Sequence, residues 1–186
     1  MKIAILTIIV IVMITGLAAQ EFNVSIAADL ITDVWLFTVN ESLNLGTTLS
    51  VSSLHPVLNE SIKFGIGISY LVPRTNKDFR YLDTSFSMVN FYGVIKTYPS
   101  RLTPTGTLTD YLYIKTNLGS GIPIIKNEYD ALRINSSWGE FHYGFGTGLD
   151  FPNGLFLEML YSCTYVGAYI SGVGNRDGGI DTFSIA

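Results

Sequence analysis

Apolar and polar residues alternate along most of this chain with a period of two. The clearest stretch is Glu140-Phe141-His142-Tyr143-Gly144-Phe145-Gly146-Thr147-Gly148-Leu149-Asp150-Phe151. Its odd positions are Phe, Tyr, Phe, Thr, Leu and Phe, and its even ones Glu, His, three glycines and Asp. Successive side chains of a strand point to opposite faces, so this segment has one aromatic, apolar face and one small or polar face. After Pro152-Asn153-Gly154 the pattern resumes, with Leu155, Leu157, Met159, Tyr161, Cys163 and Tyr165 opposed to Glu158, Ser162 and Thr164. Ordinary strands run to ~5–6 residues. These approach the ~9–11 residues with which a tilted strand crosses a bilayer.

The same period predicts further strands. Phe22, Val24, Ile26, Ala28 and Leu30 oppose Asn23, Ser25, Ala27 and Asp29. Leu43 to Ser52 and Ser61 to Val72 alternate as cleanly. Phe86–Tyr98 is mixed: if Asn90 and Lys96 face inward, so do Met88, Tyr92 and Val94. Leu108–Leu118 sets Leu112, Ile114 and Leu118 against Tyr113, Lys115 and Asn117, and a short last segment, Gly179–Ala186, sets Phe183 and Ile185 against Thr182 and Ser184. The links alternate too. Ile31–Ser42, Pro73–Thr84, Gly119–Trp138 and Val166–Gly178 read as long loops, and Ser53–Glu60, Ser100–Gly106 and Pro152–Gly154 as short turns. Long loops at one end and short turns at the other are the habit of outer-membrane barrels.

The chain begins as an exported protein does. Lys2, the apolar run Ile3 to Ile14 and the small-residue exit Gly16-Leu17-Ala18-Ala19-Gln20 predict a signal peptide over residues 1–20, ahead of a barrel domain over 21–186. Beyond it no apolar run is long enough for a spanning helix, so the mean hydropathy of +0.36 must come from two-faced strands. An apolar outer face in lipid needs no cover, but every backbone donor and acceptor needs a partner. A closed ring of strands meets both demands. The expectation is an all-β, eight-stranded, antiparallel, up-and-down transmembrane β-barrel.

Fragments such as Gly65-Ile66-Gly67-Ile68-Ser69-Tyr70 and Phe145-Gly146-Thr147-Gly148-Leu149-Asp150-Phe151 are similar to the strand texture of the small outer-membrane β-barrel superfamily, the OmpA/OmpX-type proteins. The resemblance covers most of the mature chain and carries no catalytic motif. It implies a place in the bacterial outer membrane after signal-peptide export. It also implies outer-membrane lipid and the barrel-assembly machinery as partners, with an extracellular ligand or surface reached through the long loops. Members usually end in an aromatic residue, whereas this chain stops at Ala186, with Phe183 its last aromatic. Either the last strand is truncated or assembly uses another cue.

Candidate chemistry lies on the inward face: Lys63, Lys96, Lys115, Glu140, His142, Asp150, Glu158 and Asp181. Eight strands leave an interior about wide enough to be filled by side chains, and buried charges are costly unless paired. An internal polar network of Lys63, Lys115, Glu140, His142, Asp150 and Glu158 is therefore favoured over a charge-selective pore. Glu140 and Glu158 are expected to face each other with a lysine between them. A lipid-modifying enzyme would use His142, with Glu158 and a serine beside it. No His-x-Ser pairing supports that, and no enzymatic activity is expected. His55 and His142 are far apart, the lone Cys163 falls on the outward face, and neither metal nor cofactor is implied. Eleven Lys and Arg against fifteen Asp and Glu argue against nucleic acid.

The function expected is a structural, surface-contact or narrow porin-like role. The rival reading is a soluble, exported, lipocalin-like barrel with its faces reversed, which places Phe141, Phe145, Leu157 and Met159 inside around an apolar ligand.

Overall fold

The computed structural model describes residues 21–36, 39–43, 45–58, 60–76, 84–102, 108–127, 134–170 and 174–186; the signal peptide expected over 1–20 lies outside them. The strands are β1 (Glu21–Leu36), β2 (Val39–Leu43), β3 (Gly46–Leu58), β4 (Ile62–Asn76), β5 (Thr84–Thr97), β6 (Leu112–Asn127), β7 (Ile134–Asp150), β8 (Phe156–Ile170) and β9 (Gly174–Ile185). Each pairs antiparallel with its neighbours in the order β2-β1-β3-β4-β5-β6-β7-β8-β9, and β1 also pairs with β9. Thr32 opposite Leu43 and Asp29 opposite Gly46 continue one register along β1, so β2 and β3 act as a single interrupted strand. The result is the expected closed, up-and-down barrel of eight strands. Among the described residues no helix is long and apolar enough to cross a membrane.

Alternation resolves into an apolar outside and a polar inside. Ile26 is 71% exposed, Phe145 60%, Phe141 52%, Leu157 49% and Met159 45%. The soluble reading put the last four inside. Their neighbours of opposite parity, His142 and Glu158, are buried. The outward run that starts at Leu155, just before β8, and reaches Tyr165 matches the ~9–11 residues of a bilayer crossing.

The links differ from expectation. Strands run into all four predicted long loops: β1 continues to Leu36, β4 to Asn76, β6 to Asn127 and β8 to Ile170. The longest connection, 98–111, lies at the end expected to carry short turns, and Leu108–Tyr111, expected as strand, is a 3-10 turn. His55 is exposed and belongs to β3 rather than to the predicted turn Ser53–Glu60.

At the end opposite Pro152-Gly154 the wall divides. Among the described residues, the β3–β4 ladder stops at Thr48 opposite Leu71, and the β6–β7 ladder stops at Ser120 opposite Phe141. Above those points β4, β5 and β6 form one leaf, and β7, β8, β9, β1 and β2 another. Leu71, Phe86 and Met88 from the first leaf pack against Val34, Val166 and Ile180 from the second. Each leaf has one face to cover, and this cluster covers both.

Candidate functional site

The inward side chains of β5 run, from the Pro152-Gly154 end upward, Tyr98 (just past the strand), Lys96, Val94, Tyr92, Asn90, Met88 and Phe86, and all are buried. They sample four layers of the lumen: charged, apolar, neutral polar and apolar.

The lowest layer is built on a row of lysines. Lys63 stands opposite Lys96, and Lys96 opposite Lys115, on β4, β5 and β6. Like charges directly opposite each other destabilise a sheet. Each lysine is met by a carboxylate from the next strand but one. Lys115 Nζ lies 2.8 and 3.0 Å from the two oxygens of Glu158 on β8. Lys96 Nζ lies 3.3 Å from Asp150 Oδ1 on β7, and Lys63 pairs with Glu21 on β1. Tyr113 Oη donates to Glu158 Oε2 at 2.8 Å, and Tyr98 Oη to Asp150. Lys96 also sits 4.1 Å above the centre of the Tyr113 ring, a cation–π contact. Burial first, and the Asp150 carboxylate second, push the Tyr98 phenol far up from its ordinary pKa, so it stays a hydrogen-bond donor.

Two tyrosine rings explain part of the glycine content of the inner face. Gly67 is the cross-strand partner of Tyr92, and Gly148 that of Tyr113. A Cβ at either glycine would run into the neighbouring ring. The tyrosines thus fill the space that the glycines leave.

Above the charged layer, Leu54, Tyr92 and Val94 form an apolar plate. The neutral layer follows. His142 Nδ1 and Thr164 Oγ1 are 2.8 Å apart, Thr164 Oγ1 donates to Asn90 Oδ1 at 3.3 Å, and Asn90 Nδ2 donates to Ser69 Oγ at 3.2 Å. The hydroxyl beside His142 is therefore that of Thr164, while Glu158 is engaged by Lys115 and Tyr113. The serine–histidine–carboxylate set of a lipid-modifying enzyme is not assembled around His142. Higher still, Asp29 accepts from Arg74, from Thr48 Oγ1 at 2.9 Å and from Ser184 Oγ at 2.7 Å, and Arg74 also donates to Thr32 at 2.7 Å. The Phe86–Met88 cluster closes the top.

Four expectations are corrected. Glu140 is exposed, not in the lumen: a β-bulge between Gly139 and His142 opposite β8 inserts a residue and reverses the parity above it. Glu140 then shares the outer face with Trp138, whose Nε1 donates to it at 3.3 Å. Glu158 accordingly faces Gly148 in register rather than Glu140. Asp181 also lies on the outer face, accepting from the exposed Tyr161 hydroxyl at 3.0 Å, whereas Thr182 and Ser184 face inward. Cys163, on the outward parity, is buried rather than open.

Sequence reasoning missed Glu21, Arg74, Tyr98 and Tyr113. Arg74 fell in a predicted loop. Glu21 precedes the first apolar residue of its strand. The alternation sets Tyr113 on the polar face beside Lys115, but neither it nor Tyr98 is ionised, and their bonds to Glu158 and Asp150 show only in the folded lumen. Among the described residues no group of histidine, cysteine or acidic side chains could hold a metal.

At the lower mouth, a cavity of about 440 Å³ is bordered by Glu21, Lys63, Arg101, Tyr111, Asp150 and Phe156. Arg101 lies 3.9 Å above the centre of the Tyr98 ring and donates to the Asp110 carbonyl at 3.3 Å, so part of the 98–111 connection is tied to this mouth.

Wall and lumen together define a closed antiparallel barrel of eight strands with a filled interior. No family model matches the chain, and no curated protein matches it. Among solved structures, it is similar to Ail, the attachment invasion locus protein of Yersinia pestis, with a TM-score of 0.44 and 14% identity over 89% of this chain and 98% of that one. The same protein in complex with the heparin analogue sucrose octasulfate gives a TM-score of 0.39 and 12% identity over the same shares.

Proposed function

We propose that this protein is an outer-membrane β-barrel with a sealed lumen, serving a structural or surface-contact role and neither a pore nor an enzyme. The observation that carries the reading is a closed barrel with apolar side chains pointing out and paired charges pointing in. Water could not cover that outside cheaply, because exposed apolar patches beyond a few hundred Å² are rare on soluble proteins. In hydrocarbon the same surface costs nothing, and the ladders pair the backbone around the ring, save that among the described residues β1 meets β9 only from Ala28 upward. The export signal expected over residues 1–20 supplies the route, with the barrel-assembly machinery and outer-membrane lipid as partners. The divided upper end is the part available to an extracellular ligand or surface.

Two measurements test this. Cell fractionation is expected to recover the protein with the outer membrane, solubilised only by detergent; recovery in the soluble periplasm refutes the membrane reading. In planar bilayers the refolded protein is expected to show no discrete openings, and regular conductance steps would sink the sealed-lumen reading. The enzyme alternative rests on His142, so a His142→Ala strain is expected to keep an unchanged lipid profile.

A further inference from the structure

The neutral layer of the lumen contains a polar atom with no protein partner. Asn117 is 1% exposed, and its Oδ1 accepts no hydrogen bond. Asn117 borders a cavity shared with Ser25, Ser50, Asn90, His142 and Ser162, which offers about 40 Å³ to the centres of water molecules. One water needs ~10–15 Å³ by this measure, together with two to four polar partners. Apolar cavities of similar size stay dry, but here the hydroxyls of Ser50 and Ser162 and the amides of Asn90 and Asn117 stand beside Leu71 and Leu160. Lys115 and Glu158 border it as a bonded pair, so neither charge is left over to hold an ion there. The Leu54–Tyr92–Val94 plate lies below the layer, and the cluster of Val34, Leu71, Phe86, Met88, Val166 and Ile180 above it.

We infer that this layer is a hydration site holding a small cluster of ordered waters, one of which donates to Asn117 Oδ1, and that the upper apolar cluster separates that water from solvent at the divided end. The hydration site stands on Asn117 and the cavity alone. The barrier rests on the sealed-barrel reading above.

Magnetic resonance on the protein refolded in detergent micelles tests both halves, with water itself as the probe. Cross-relaxation between long-lived water and the Asn117 side chain is expected in the wild type. It should vanish in Asn117→Leu, whose heat-modifiable migration on gels shows the barrel still folded. Absence of those cross-peaks in the wild type, or a protein donor found on Oδ1, overturns the hydration site. For the barrier, Phe86→Ala with Met88→Ala is expected to speed exchange of the Asn117 side-chain amide with deuterated solvent by on the order of tenfold. Unchanged exchange in the folded double variant overturns the barrier assignment. Should that variant not refold, Phe86→Leu takes its place with the same direction expected. Conductance by the wild type is a separate outcome that strikes the sealed-barrel reading and leaves the Asn117 measurement untouched.

Discussion

Lys115 and Glu158 meet at 2.8 Å with side chains 7% and 5% exposed. Two charges taken out of water at that depth stabilise little as a pair, because desolvation offsets most of their attraction. Losing one of them is another matter. Glu158→Leu leaves the Lys115 ammonium and the Tyr113 hydroxyl facing no acceptor, and is expected to destabilise the barrel by about 3–5 kcal/mol. Lys115→Met combined with Glu158→Leu is expected to recover most of that loss. Urea unfolding from lipid vesicles, run as a double-mutant cycle, measures the difference. Simple additivity of the two single variants would show that the pair is not coupled. Residue identity was legible here and partnership was not: parity put Lys115 and Glu158 on one face, but only the closed sheet brings strands β6 and β8 close enough for contact.

At the scale of single elements, the β3–β4 turn carries a strained residue. Glu60 has φ of 60°, a left-handed conformation that costs a side-chain-bearing residue about 1–2 kcal/mol relative to glycine. Its side chain is 71% exposed, and its 3.9 Å approach to Arg101 is a surface contact of small worth. Glu60→Gly is therefore expected to be neutral or to stabilise by up to about 1 kcal/mol, read as a shift in the urea midpoint. A clear loss of stability would mean that the Arg101 contact, and with it the 98–111 connection, matters more than the strain. Strands were the most legible elements, and their ends the least. Alternation marks a strand while one face is apolar and the other polar. It fades in Ser120-Gly121-Ile122-Pro123 and in Gly174-Asn175-Arg176-Asp177-Gly178, where the strands of the upper leaves continue. The mixed pattern of β5 had a structural cause. Met88, Tyr92 and Val94 face inward because the lumen itself has apolar layers, so interior and polar are not synonymous in this barrel. The bulge at Gly139–His142 left no mark in the alternation, and it misplaced Glu140.

Across the whole molecule, the outer-face aromatics mark a level. Trp35 lies opposite Gly179, and Trp138 opposite Gly167, with the Trp35 and Tyr165 rings edge to face at 5.8 Å. Trp and Tyr collect at membrane–water interfaces. Both tryptophans are expected to be quenched more by lipids brominated near the headgroup than by lipids brominated at mid-chain. The reverse order would move the apolar band up into the divided leaves.

The ion pairs have a consequence for how such a molecule comes to exist. Lys63–Glu21, Lys96–Asp150, Lys115–Glu158 and Arg74–Asp29 each reach over one intervening strand. In a flat sheet those strands stand about 9.6 Å apart and their side chains project in parallel. Bending the sheet inward makes the side-chain tips converge. The pairs are thus ties drawn across chords of the ring, able to form only once the wall has its curvature. A flat precursor holds three neighbouring lysines on parallel side chains, whereas the curved wall brings each to its carboxylate. Curling and charge neutralisation go together, which favours a wall that bends as it pairs.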